Sequence, residues 1–83
     1  MSDPLPAARP PAARLDARGL KCPLPVLKAR KALKPLAAGE VLEVLADDPS
    51  APQDFRAFAE TTGHRLAESQ QEGAWRALIT KSD

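Results

Sequence analysis

The spacing of apolar residues along the chain changes from helical to strand-like and back. From Pro23 onward, Val26, Ala29, Leu33 and Leu36 recur at intervals of three, four and three, which is one face of a helix. Leu27 and Ala32 widen that face. Pro35 lacks an N–H and disfavours helical backbone at Lys34, so the helix is expected to fray there, with Gly39 closing the turn. The segment Glu40 to Ala46 (EVLEVLA) is a compact apolar run broken only by Glu43; its length and two valines predict a central strand. Asp47-Asp48-Pro49-Ser50 predicts a turn and then a helix start. Ser50 with Gln53 three residues on matches a capping box, and Pro52 falls in the first turn. Phe55, Phe58, Ala59 and Thr62 form the apolar face of this second helix, and Gly63 is its stop. His64 to Gln71 and Ala74 to Lys81 flank Glu72-Gly73, the pattern of two strands joined by a tight turn. Upstream, Ala13 to Ala17 (ARLDA) predicts a short edge strand, broken by Gly19.

The resulting order is β-α-β-α-β-β. It predicts an α+β fold: a two-layer α/β sandwich with two helices packed on one face of a four-stranded mixed sheet. Residues 13–83 make one domain. Residues 1–12 hold Pro4, Pro6, Pro10 and Pro11 among Ala, Ser and Arg, and read as a flexible tail.

Size then narrows the function. The chain has 83 residues, and the domain is too small for a deep cavity lined by several catalytic groups. A carrier, adaptor or binding module is favoured over a self-contained enzyme. A net charge of +1 gives no whole-protein case for nucleic acid. No apolar run approaches the roughly 18 residues of a membrane span, and the N-terminus lacks the apolar region of a secretory signal. A cytoplasmic protein without membrane contact is expected.

The chain has a single cysteine, Cys22, so neither an intrachain disulfide nor a resolving dithiol is available. One Cys with one His cannot supply a structural zinc site, and no metal or cofactor is expected. Cys22 is therefore inert packing, a lone nucleophile, or a point of covalent attachment. It falls after a loop and just before a helix, whose positive end lowers a nearby thiol's pKa. Arg18 and Lys21 add positive charge, so a thiolate or persulfide anion is expected to be favoured. Pro23 and Pro25 remove two N–H donors from the first turn, but their fixed φ angles hold Cys22 in one exposed direction. With no second cysteine and with His64 distant in sequence, the chain is better equipped to accept, keep and deliver sulfur than to generate it. Arg18, Lys21, Lys28, Arg30, Lys31 and Lys34 fall between Asp16 and Glu40 with no acid among them. They form either a solvated helix face or a dock for an acidic patch around a partner's cysteine. Asp16 reads as loop structure, His64 as a strand-start residue, and Phe55, Phe58 and Trp75 as core.

The stretch Leu15 to Pro25, LDARGLKCPLP, resembles the signature of the TusA/SirA family of small sulfur carrier proteins. The resemblance runs on to about Lys81 through VLKARKAL, GEVLEVLADDP and Thr62-Gly63-His64. It implies the same two-layer fold, with Cys22 taking sulfane sulfur as a persulfide. Asp16, Gly19, Leu20, Pro23 and Pro25 are the accompanying motif positions. Implied donors are a cysteine desulfurase or a rhodanese-type sulfurtransferase; implied acceptors are DsrE-like or TusD-like proteins serving tRNA thiolation, molybdenum-cofactor metabolism or sulfur oxidation. The expected protein is a monomeric sulfurtransferase-type carrier with little or no turnover alone, no direct nucleic-acid binding, and no cofactor beyond the Cys22 persulfide. One departure is visible: many relatives open the second helix with Asp-Ile-Pro, whereas Asp54 here is followed by Phe55 and Arg56. Two other readings compete: a regulatory interaction module that ignores the thiol, and a thiol-dependent transferase acting on a small molecule. The missing base and small size weigh against the second.

Overall fold

Strand Val41–Ala46 (β2) alternates buried and half-buried positions, as a strand covered on one face must. Leu42, Val44 and Ala46 turn inward, and Glu43 turns to the other face. Around this strand a computed structural model describes residues 10–71 and 73–82. The expected tail falls mostly on residues 1–9, outside the described residues.

The remaining elements are Ala13–Asp16 (β1), Leu24–Leu33 (α1), Ala51–Thr62 (α2), Arg65–Gln71 (β3) and Ala74–Thr80 (β4). They form one four-stranded sheet in the order β1-β2-β4-β3. β1 lies at an edge, parallel to β2, with Leu15 beside Val44. β2 and β4 are antiparallel, with Val44 opposite Ala77, and β3 pairs antiparallel with β4. The class, element order and mixed sheet are as the sequence predicts.

The core fills the space between the helices and the inward face of the sheet. Phe55 sits at its centre, fully buried, with Leu42, Val44 and Ile79. Its ring lies 5.4 Å from Trp75 and meets Phe58 edge-on at 6.5 Å, a favoured aromatic geometry. The Trp75 indole N–H is satisfied by Glu68 at 3.2 Å, and Glu68 also grips the Arg56 guanidinium at 2.6 and 2.7 Å. On the sheet's other face, Glu43 is held between Arg14 at 3.0 Å and Arg76 at 2.5 Å, which explains a charge inside an otherwise apolar run.

Two local expectations fail. Leu27 does not widen the buried face of α1; it is 52% exposed, and Leu24 is 45% exposed. At about 100° per residue, Leu27 lies some 200° from buried Ala29, on the opposite side of the helix. The capping box is also absent. Ser50 is the N-cap of α2, but its backbone is helical (φ −87°, ψ −5°) rather than extended, and its hydroxyl donates to Asp48 at 2.6 Å. Gly63 does stop α2 as expected: its φ is 84° and its N–H returns to Ala59. No helix among the described residues is long and apolar enough to cross a membrane.

Candidate functional site

Because β1 and β2 are parallel neighbours, the loops leaving their C-terminal ends emerge side by side. The first loop carries Cys22 into α1, and the second carries Asp47 and Asp48 into α2. The parallel ladder continues one step past β1, where the Ala17 N–H donates to Leu45 at 2.7 Å. The chain then turns, with Leu20 N–H returning to Ala17 at 3.2 Å and Gly19 at φ 83°. A turn of this kind with positive φ at its third residue is where glycine is needed.

Asp16 organises the turn from its start. It accepts the Arg18 amide at 3.1 Å and the Arg18 guanidinium through both carboxylate oxygens at 2.8 Å. The Arg18 hydrogen bonds hold its pKa down at about 2. Asp16 is thus loop structure, and the Arg18 charge is committed to it.

The second loop fastens the first. Asp47 accepts the Gly19 N–H at 2.9 Å, and Asp48 accepts the Cys22 N–H at 3.1 Å while also holding Ser50. The Ser50 hydroxyl, and after it the Cys22 amide, keep the Asp48 carboxyl below its usual range. Cys22 is exposed and joined to Pro23 by a cis peptide bond. Pro23 is the N-cap of α1, and Pro25 lies buried in its first turn.

The electrostatics of the sulfur reverse the expectation from sequence. The Cys22 thiol is pushed above the ordinary cysteine value, first by its hydrogen bond to Asp54, then by desolvation and the Asp54 and Asp48 charges; the Ser50 hydroxyl works in the other direction. A site expected to be electropositive is lined by carboxylates. Lys21 acts on Asp48 rather than on the sulfur, and Arg18 is paired with Asp16. Asp47, Asp48, Ser50 and Asp54 are site residues that reading the chain near Cys22 does not find. The available signal is topological: if β1 and β2 are parallel neighbours, whatever follows β2 meets whatever follows β1.

His64 is not part of this site. It follows the C-terminus of α2, about 18 Å along the helix from the end that meets Cys22. Its Nδ1 accepts the Ser82 N–H at 3.0 Å. A hollow of about 170 Å³ lined by Arg30, Lys34, Phe58 and His64 lies at that far end.

The family model described as "Sulfurtransferase TusA" matches residues 13–81. The chain belongs to the TusA family of sulfur carrier proteins. The chain is 52% identical over 69 residues to the sulfur carrier protein TusA of Allochromatium vinosum, covering 82% of this chain and 91% of that one. A putative sulfur carrier protein of Neisseria meningitidis serogroup A is 52% identical over 66 residues, covering 78% of this chain and 89% of its own. The crystal structure of a SirA-like protein from Desulfitobacterium hafniense superposes with a TM-score of 0.75 at 33% identity, covering 86% of this chain and 99% of that one.

Within this TusA-family site the carboxylate staples give a first prediction. Asp48→Ala removes the acceptor of both the Cys22 amide and the Ser50 hydroxyl, so amide hydrogen exchange at Cys22 should accelerate severalfold. Unchanged exchange, followed by NMR, would mean that Asp48 does not restrain the loop.

Proposed function

We propose that the protein carries sulfane sulfur as a persulfide on Cys22, taking it from one protein and giving it to the cysteine of another. The observation that carries this reading is the sulfur's setting: the chain's single cysteine is exposed, on a loop fixed by two proline rings and two carboxylates. In loading, Cys22 Sγ attacks the outer sulfur of a donor persulfide. The donor's S–S bond breaks, its electron pair leaves on the donor thiolate, and a new S–S bond forms on Cys22. Delivery is the same exchange in reverse roles. A cysteine desulfurase or rhodanese-type protein suits the donor role, and a DsrE-like or TusD-like protein the acceptor role. Asp16, Gly19, Leu20, Pro23 and Pro25 shape the loop that presents the sulfur.

The outward stripe of α1 suits docking. Leu24 and Leu27 are exposed beside Cys22, with Lys28 and Lys31 on the same side of the helix and Lys21 and Arg30 also exposed nearby. An apolar centre with a charged rim is the usual anatomy of a protein interface. The Arg30 guanidinium is partly engaged over the Phe58 ring at 5.6 Å.

Intact-mass spectrometry tests the assignment. Incubation with a cysteine desulfurase and cysteine, or with a rhodanese and thiosulfate, should add the mass of one sulfur, removable by reductant. No gain with any persulfide donor would reject it. The basic rim predicts a further effect. Reversing Lys28 and Lys31 to Glu should slow loading by a protein donor roughly tenfold at low salt, with the difference shrinking as salt rises. Stopped-flow or quenched-flow mass analysis reads that rate; equal rates for both proteins at low salt would remove these lysines from the interface.

A further inference from the structure

At the end of the domain away from Cys22, the C-terminal ends of α1 and α2 meet the segment leaving β4. The hollow of about 170 Å³ between them is bordered by Arg30, Lys34, His64 and Lys81, with Leu33 and Phe58 as its apolar wall. No carboxylate lines it. Arg30 and Lys34 lie four residues apart, on one face of α1, and neither makes an ion pair among the described residues.

The donors around the hollow are held in place. Phe58 carries the Arg30 guanidinium over its ring at 5.6 Å, and the His64 ring lies at 5.6 Å from the same ring. His64 Nδ1 accepts the Ser82 N–H at 3.0 Å, which places the hydrogen of the neutral ring on Nε2 as a donor. Lys81 gives two of its three ammonium hydrogens to the Lys34 and Leu36 carbonyls, at 3.0 and 2.7 Å, and keeps one. Helix carbonyl ends repel anions, and here several are already taken. Beside the two that Lys81 covers, the Thr62 hydroxyl donates to the Phe58 carbonyl at 2.8 Å and the Gly63 amide to the Ala59 carbonyl at 2.8 Å.

We propose that this hollow is a binding site for a compact tetrahedral oxyanion: inorganic phosphate or the phosphoryl group of a small phosphomonoester. Its donors come from α1, from the start of β3 and from the segment after β4, so they surround a ligand from three sides. A planar carboxylate presents two oxygens; a phosphoryl group presents three or more and can use all three sides at once. Arg30 supplies the planar fork that suits phosphate oxygens, and Lys34 a mobile point charge. The volume is well under the roughly 300–1,000 Å³ of pockets that hold drug-sized ligands, which limits the guest to a small one. The apolar wall of Leu33 and Phe58 favours an ester whose organic part is short and apolar. The site is separate from the sulfur chemistry, since α2 puts about 18 Å between it and the end that meets Cys22.

NMR titration of the whole chain tests the site. Phosphate, phenyl phosphate and acetate are added at constant ionic strength, with chloride as the balancing anion. Phosphate should shift the amides of Lys34, Thr62, His64 and Lys81 and the His64 ring along a saturating curve, leaving Gly19 to Cys22 unmoved. Arg30→Gln with Lys34→Gln should weaken binding roughly tenfold or more. Lys21→Gln with Lys28→Gln removes the same charge from residues outside the hollow and should bind phosphate as the wild type does. Severalfold tighter binding of phenyl phosphate would assign the site to phosphomonoesters, and equal binding to free phosphate. Shifts that rise linearly without saturating, or equal weakening in the two double variants, would reduce the hollow to general surface charge and overturn the proposal. Acetate binding as tightly as phosphate would overturn the assignment to a tetrahedral oxyanion.

Discussion

Cys22→Ser is expected to abolish sulfur loading completely while leaving the fold intact. The side chain is exposed and takes no part in the core, and substitutions at such positions change stability by no more than about 0.5 kcal/mol. The loss is therefore chemical. A serine hydroxyl is far less acidic than a thiol and forms no persulfide, and the chain holds no other cysteine to substitute for it. With a persulfide donor, wild-type protein should gain the mass of one sulfur and lose it to reductant, whereas the variant stays at its starting mass. A reductant-sensitive gain in the variant would place the sulfur on some other group. Far-UV circular dichroism and melting of the two proteins should coincide.

Phe55→Ala should have the largest effect on stability. The ring is fully buried, packs against Trp75 and the edge-on ring of Phe58, and joins α2 to the centre of the sheet. Truncating a buried phenylalanine costs about 3–5 kcal/mol, from lost burial and from the cavity left behind. A domain of this size has only a few kcal/mol in reserve. At roughly 4–8 °C per kcal/mol, the melting temperature should fall by more than about 12 °C, or the variant should fail to fold. Phe55→Leu retains most of the apolar volume and should melt between the two. A thermal scan in which Phe55→Ala melts within a few degrees of wild type would show that this ring does not anchor the core.

The elements and their order are legible in the chain because period and punctuation agree. The alternation through β4 sends Trp75, Ala77 and Ile79 inward, and Gly63 ends α2 at the residue where the apolar spacing stops. The spacing also separates Ala29 and Leu33 as the buried stripe of α1. It misleads at Leu27, an apolar residue whose angle around the helix puts it on the far side from Ala29 and in solvent. Ser50 and Gln53 have the residue types of a capping box, yet the Ser50 backbone is helical rather than extended, so its oxygen does not reach the amides of the first turn and its hydroxyl donates to Asp48 instead. Cys22 and the turn that carries it stand out in the sequence because Gly19, Pro23 and Pro25 each constrain the backbone. The charge around the sulfur does not stand out, since Asp48 and Asp54 come from the neighbouring loop and helix. Helix dipole and adjacent lysines are local in sequence; the carboxylates that outweigh them are local only in space.

The carboxylate staples have one more consequence. Asp48 reaches the Cys22 amide across 26 residues of chain, and Asp47 reaches Gly19 across 28. An eleven-residue peptide copied from Leu15 to Pro25 would keep the thiol, the prolines and the Asp16–Arg18 pair, and lose every acid that bears on the sulfur. Grafted onto another scaffold, the same letters would make an ordinary surface cysteine. The temper of the reactive atom is a property of the whole tertiary structure, and it is not portable with the sequence signature.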